Sequence, residues 1–186
     1  SGSTTPAINL AVNAAPLAMT VNSTANFTLS GTGALTGSMT LNKLGAGKFT
    51  VANTGVNSFS GGTTISAGSL QLGDGVSVNG NLPGNIVNNA TLIFANPSVQ
   101  TWSSPFSGSG TLVKQAAGTL TITATNSSYA GNVLIGGGAI TLTTGAALNT
   151  GTLTLSNSST FNFPPSSPAY FYPGSIIVPA GQTGTI

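Results

Sequence analysis

The chain offers few side chains that could do chemistry. Of its 186 residues only Lys43, Lys48, Asp74 and Lys114 are charged, and there is no histidine and no cysteine. General acid–base catalysis needs a group titrating near the working pH, usually set against a second one. One aspartate with no glutamate or histidine supplies no such pair. A Ser–Lys nucleophile pair is formally open to Lys43 and Lys114. These two lysines hold equivalent turn positions in two copies of a repeat described below, which favours a structural role. Zinc needs Cys or His, and calcium needs several oxygens, usually including carboxylates. Asp74, in Leu72-Gly-Asp-Gly75, reads as a turn aspartate. The run Gly136-Gly-Gly138 lacks the strand–loop–helix context and the Lys-Ser/Thr of a phosphate loop. The expectation is a protein that is not an enzyme and that holds no cofactor and no metal.

Composition narrows the class further. Charged residues make up 2% of the chain, against roughly a quarter in ordinary soluble proteins. A mean hydropathy of +0.31 and a net charge of +2 argue against disorder, which combines low hydrophobicity with high net charge. Polarity comes instead from Ser, Thr, Asn and Gly, which backbone and turn hydrogen bonds can satisfy. The pI of about 9.3 rests on three lysines against one aspartate. Nucleic-acid binding needs several clustered cations, so no nucleic-acid partner is expected. The apolar stretch around Leu10 to Met19 is broken by Asn13 and Pro16 and is too short to span a bilayer, so no membrane insertion is expected.

Helical periodicity is nearly absent, because Gly or Pro interrupts most candidate windows. Period-2 segments are frequent. Phe49 and Val51 alternate with Lys48 and Thr50, and Leu70 and Leu72 with Ser69 and Gln71. Leu120 and Ile122 alternate with Thr119, Thr121 and Thr123, and Leu153 and Leu155 follow the same rule. Short strands at this spacing indicate a sandwich, a barrel or a solenoid.

Internal repetition separates these. Gly37-Ser-Met-Thr-Leu-Asn-Lys43 aligns with Gly108-Ser-Gly-Thr-Leu-Val-Lys114, an offset of 71 residues from Lys43 to Lys114. The match runs on through Gly47-Lys-Phe-Thr-Val51 and Gly118-Thr-Leu-Thr-Ile122. After a one-residue deletion, Phe59-Ser-Gly-Gly-Thr-Thr-Ile65 aligns with Tyr129-Ala-Gly-Asn-Val-Leu-Ile135, and Gly68-Ser-Leu-Gln-Leu72 with Gly138-Ala-Ile-Thr-Leu142. These runs resemble the passenger-associated repeat of bacterial autotransporters, over about residues 22–160. The second copy departs from the pattern at Ala116 and Asn132, where turn glycines are replaced. The resemblance implies an all-β fold, a single right-handed parallel β-helix, exported and displayed outside the cell. The membrane barrel that accompanies such passengers is missing from the chain. At about 20 residues per coil, such a chain makes on the order of nine coils, with Leu, Ile, Val and Phe turned into the shaft.

The expected organisation is an N-terminal strand or assembly segment (1–20), β-helix repeats (21–160) and an aromatic, Pro-rich C-terminal cap or assembly segment (161–186). Ile8, Leu10 and Val12 lie on one face of an alternating strand, and the C-terminal segment carries Phe171, Tyr172, Ile176 and Ile177. Both terminal segments lack charge, and uncharged open strand edges template pairing with another chain. The functional expectation is therefore an extracellular filament subunit whose partner is itself, a homopolymer joined head to tail through these residues. The alternatives are a monomeric autotransporter-like adhesin or stalk contacting other cells, and a module that binds surface glycans. Asn22, Asn26, Asn89, Asn126 and Asn157 begin Asn-x-Ser/Thr sequons, candidate glycosylation sites that would help keep an uncharged surface in solution.

Overall fold

A computed structural model of the chain describes residues 6–124, 128–143, 147–162 and 170–186. Among the described residues the fold is all-β, without a helix, and every strand pairing is parallel. Strands are numbered in chain order. The long sheet stacks β1 (Ala7–Asn9), β3 (Phe27–Ser30), β5 (Lys48–Val51), β7 (Ser69–Leu72), β9 (Thr91–Phe94), β12 (Thr111–Lys114), β14 (Asn132–Ile135), β16 (Ala147–Leu155) and β18 (Tyr170–Ile177). An N-terminal sheet stacks β2 (Ala18–Val21), β4 (Thr40–Lys43), β6 (Thr63–Ile65), β8 (Ile86–Asn88) and β11 (Phe106–Ser107). A C-terminal sheet stacks β10 (Gln100–Trp102), β13 (Thr119–Ile122), β15 (Ala139–Leu142), β17 (Ser159–Asn162) and β19 (Gly184–Thr185).

This is a β-solenoid. Nine strands in the long sheet define about eight turns, one fewer than the coil length alone implied. A coil takes 20 residues from Thr91 to Thr111 and 23 from Leu153 to Ile176. Strict register turns the period-2 pattern into columns. Phe27, Phe49, Leu70, Leu92, Leu112, Val133, Leu153 and Ile176 form one inward column. Its members from Phe49 to Leu153 are buried, each contributing about 1.5–3 kcal/mol of apolar burial. Parallel stacking also satisfies the backbone, which is why the fold tolerates so few charges.

The two copies of the repeat share a local structure but not a face. Each runs strand, tight corner, strand, long arc, strand, corner, strand. In the first copy the four strands alternate between the N-terminal and long sheets (β4, β5, β6, β7). In the second they alternate between the long and C-terminal sheets (β12, β13, β14, β15). The whole motif has moved one face around the shaft. Register shows why. The column through Lys43 continues to Ile65 and Asn88, then to the position after Ser107. Lys114 lies six residues beyond that position, far enough to turn one corner.

The shift is absorbed in one coil, which holds β8, β9, β10 and β11 and is the one place among the described residues where all three sheets meet. The shaft there is filled by rings. Phe94 meets Trp102 edge-on at 5.3 Å, Trp102 tilts against Phe106 at 6.3 Å, and Phe106 meets Tyr129 edge-on at 5.6 Å. These spacings suit aromatic pairing, and all four residues are buried.

Candidate functional site

The lysines are the first place to look for chemistry, and their geometry is structural. Lys43 ends β4 and stands in the inward column between Val21 and Ile65. Its Nζ donates to the carbonyls of Gly45 and, at 3.1 Å, Ala67. Lys114 ends β12 between Phe94 and Ile135, and its Nζ donates to Gln115 O at 2.5 Å and Ala116 O at 2.9 Å. Both side chains are fully buried. Each ammonium closes the shaft side of a tight corner by capping its carbonyls. Burial pushes both pKa values down, that of Lys114 to about 8. Among the described residues both nitrogens bond to backbone carbonyls. The sequence placed these lysines in turns; the structure places them at strand ends, pointing inward. Lys48 differs: it lies on the outer surface and donates to Gln71 Oε1 at 3.0 Å.

Corner chemistry differs between the copies. A Cβ on Gly45 would lie 2.2 Å from Ser23 N, so the first copy needs glycine there for close coil approach. Ala116, its counterpart, takes φ +61°, a left-handed conformation that costs an alanine about 1–2 kcal/mol.

Asp74 makes a compact turn. Its Oδ1 accepts from the backbone N–H groups of Val76, Ser77 and Val78 at 2.8–2.9 Å, and its Oδ2 from the Ser77 hydroxyl at 2.8 Å. Slight burial pushes its pKa up, but the N–H groups of Val78, Ser77 and Val76 and the Ser77 hydroxyl outweigh that. The carboxyl is held well below the usual range. Among the described residues no group of three or more His, Cys, Asp or Glu gathers.

Beside this turn lies a groove of about 440 Å³, lined by Asn53, Thr54, Val56, residues 77–81 and Ser98. It lies along the arcs that follow β5 and β7, with Ser98 just ahead of β10. Buried Asn53 and half-buried Asn81 line it and are joined through buried Asn57. Asn57 Oδ1 accepts from Leu35 N at 2.8 Å and from Asn53 Nδ2 at 3.0 Å, and Asn57 Nδ2 donates to Asn53 Oδ1 at 3.1 Å and Asn81 O at 2.9 Å. Asn81 Nδ2 donates back to Asn57 O at 3.2 Å. Asn79 holds the segment just ahead of β10, donating to Val99 O at 3.2 Å and accepting from Ser98 N at 3.2 Å. Sequence reading passed over this ladder, although Asn57 and Asn81 stand one coil apart in otherwise irregular arcs.

The residues expected at the assembly joint stand at the two ends of the solenoid, in and just after β1 and in β18. The N-terminal strand is only Ala7–Asn9, not a longer alternating segment. After Asn9 the chain turns a corner, so Ile8 is partly exposed, Leu10 packs on the core and Val12 is 74% exposed. Phe171 and Tyr172 lie in β18, paired with Leu148 and Asn149. Ile176 and Ile177 are in the same strand, half-exposed, with Ile176 continuing an inward column. Among the described residues β1 and β2 pair on one side only, as do β18 and β19, so each end presents strand edges. Of the sequons, Asn22, Asn26, Asn89 and Asn157 are exposed, while Asn126 lies outside the described residues. Asn26 Oδ1 accepts from Lys48 N, and Asn157 Nδ2 donates to Gly136 O. No helix among the described residues is long and apolar enough to cross a membrane.

A parallel solenoid with few charges, whose one repeated motif is a strand–corner–strand with a buried lysine, defines a repeat-built scaffold. Comparison with known proteins places that motif. Residues 41–72 and 112–143 each match the family described as Passenger-associated-transport-repeat, the same two stretches that the internal alignment pairs. A 54-residue stretch is 48% identical to the Adhesin BmaC autotransporter of Brucella suis biovar 1 (strain 1330). That stretch covers 29% of this chain, and the chain spans about 2% of that relative's length. No solved structure matches.

Proposed function

We propose that this chain is a section of the stalk of an autotransporter-type passenger, displayed outside the cell as a non-enzymatic adhesive or spacer module. The observation that carries the reading is the coincidence of repeat and fold: both passenger-associated repeats are successive sections of one sparsely charged solenoid. The likeness to an autotransporter adhesin supports the adhesive role and a surface location. The test is to insert the chain between an export signal and a membrane barrel of another autotransporter. Surface labelling of the displayed chain and increased attachment of the carrier cells to host cells are the expected results. A chain that is exported normally yet adds no attachment leaves only the spacer role, and hydrolysis of a surface polymer by the displayed chain would overturn the non-enzymatic reading.

A head-to-tail filament is the second reading. It is favoured by the uncharged, one-sided edge strands β1 and β2 at one end and β18 and β19 at the other. Further coils of a longer passenger would cover the same edges, which is why the stalk reading comes first. Long uniform fibres of the purified chain in negative-stain micrographs would promote the filament; single rods of monomer mass would remove it.

A further inference from the structure

We propose that the groove beside the Asp74 turn is a binding site for an uncharged oligosaccharide. This rests on the adhesive reading above and names its ligand class. The groove's volume of about 440 Å³ falls within the ~300–1,000 Å³ of ordinary ligand sites. No charged side chain lines it, so an ionised ligand would find no counter-charge there.

Its walls are fixed before any ligand arrives. Asp74 pins residues 76–78, the Asn53–Asn57–Asn81 ladder ties two successive coils together, and Leu35 N of the coil before them donates to Asn57 Oδ1. Rigid, pre-ordered walls lower the entropic cost of binding. The hydrogen-bonding capacity left over is that of a sugar-reading surface. A side-chain amide carries two N–H donors. Asn79 uses one on Val99 O, and Asn81 uses one on Asn57 O, so each retains another. The Ser77 and Ser98 hydroxyls donate to Asp74 and Asn79 and keep their acceptor lone pairs. Val56, 76% exposed, gives the wall an apolar patch for the C–H face of a pyranose ring. Alternating donors, acceptors and one apolar patch without charge match a neutral polyhydroxyl chain better than a peptide or an anionic polymer.

The test is an array carrying neutral and sialylated animal glycans together with bacterial polysaccharides, probed with the purified full chain. Binding to neutral oligosaccharides is expected, and the two ligand sets separate a host source from a bacterial one. Val56→Glu and Val56→Trp, both at an exposed position, should each weaken binding at least tenfold with an unchanged circular dichroism spectrum. Leu17→Glu, exposed and far along the chain, should leave it intact. Preference for sialylated glycans, unaltered binding by both Val56 variants, or no glycan binding at all would overturn the proposal. The stalk reading is judged separately by the surface-display result, which does not depend on glycans.

Discussion

Residues 41–72 and 112–143 are two copies of one motif that fold alike and sit differently. Both keep the inward lysine, the four-residue corner and the buried ring before the third strand, Phe59 in one and Tyr129 in the other. Yet the first copy straddles the N-terminal and long sheets, and the second straddles the long and C-terminal sheets. The difference teaches that a solenoid motif specifies its own corner and strands but not its angular position. That position follows from the residues in between, and here a single aromatic-filled coil takes up the change.

Breaking that coil should have the largest effect. Phe106→Ala removes a ring that contacts both Trp102 and Tyr129, and should cost about 3–5 kcal/mol. Because each coil contacts only its neighbours, urea unfolding should then separate into two transitions, one per half. A single cooperative transition in the variant would show that the halves are coupled beyond this coil.

Corner substitutions should sharpen the comparison with opposite signs. Gly45→Ala drives a Cβ into the backbone of Ser23 and should destabilise by about 1–3 kcal/mol. Ala116→Gly relieves a left-handed alanine and should stabilise by about 0.5–1 kcal/mol, after allowing for glycine's freer unfolded chain. Thermal melts of the two variants read both effects. Loss of stability in both would mean that the second corner needs its Cβ for packing.

The ring position should also respond asymmetrically. The Tyr129 hydroxyl donates to Gly110 O at 2.5 Å and lies 3.0 Å from Asn132 O. Tyr129→Phe should lose about 1–2 kcal/mol. Phe59, buried at the equivalent position of the first copy, has no hydroxyl to lose and holds its corner by packing alone.

The gentlest test is pH. Lys114 titrates at about 8 in the folded chain, below the ordinary lysine value of 10.5. Between these values the unfolded chain holds more protons, so stability should rise as pH increases through that window. Lys114→Met should flatten the rise and Lys43→Met should reduce it; a profile unchanged in both variants would mean the corner ammonium groups are not desolvated.

Much of this was legible in the residues. The alternation at Phe49/Val51 and Leu120/Ile122 fixed which side chains face inward, because period 2 leaves a strand no other choice. The offset between Lys43 and Lys114 revealed the repeat. The groove was not legible: its asparagines sit in arcs with no period, and they meet only because coils stack. The N-terminal strand was overextended because apolar alternation at Ile8, Leu10 and Val12 continues past the corner at which the chain turns.

By itself, then, the sequence determined the alternating strands such as β5, β7 and β13, the repeat and the inward columns, since these follow from residue type and local spacing. Only the tertiary structure decided which face each copy occupies, that both lysines are buried against corner carbonyls, and that Asn53, Asn57 and Asn81 form a ladder beside a groove. Those features depend on which residues become neighbours one coil away. That pairing is set by the summed lengths of corners and arcs, and no single segment contains it.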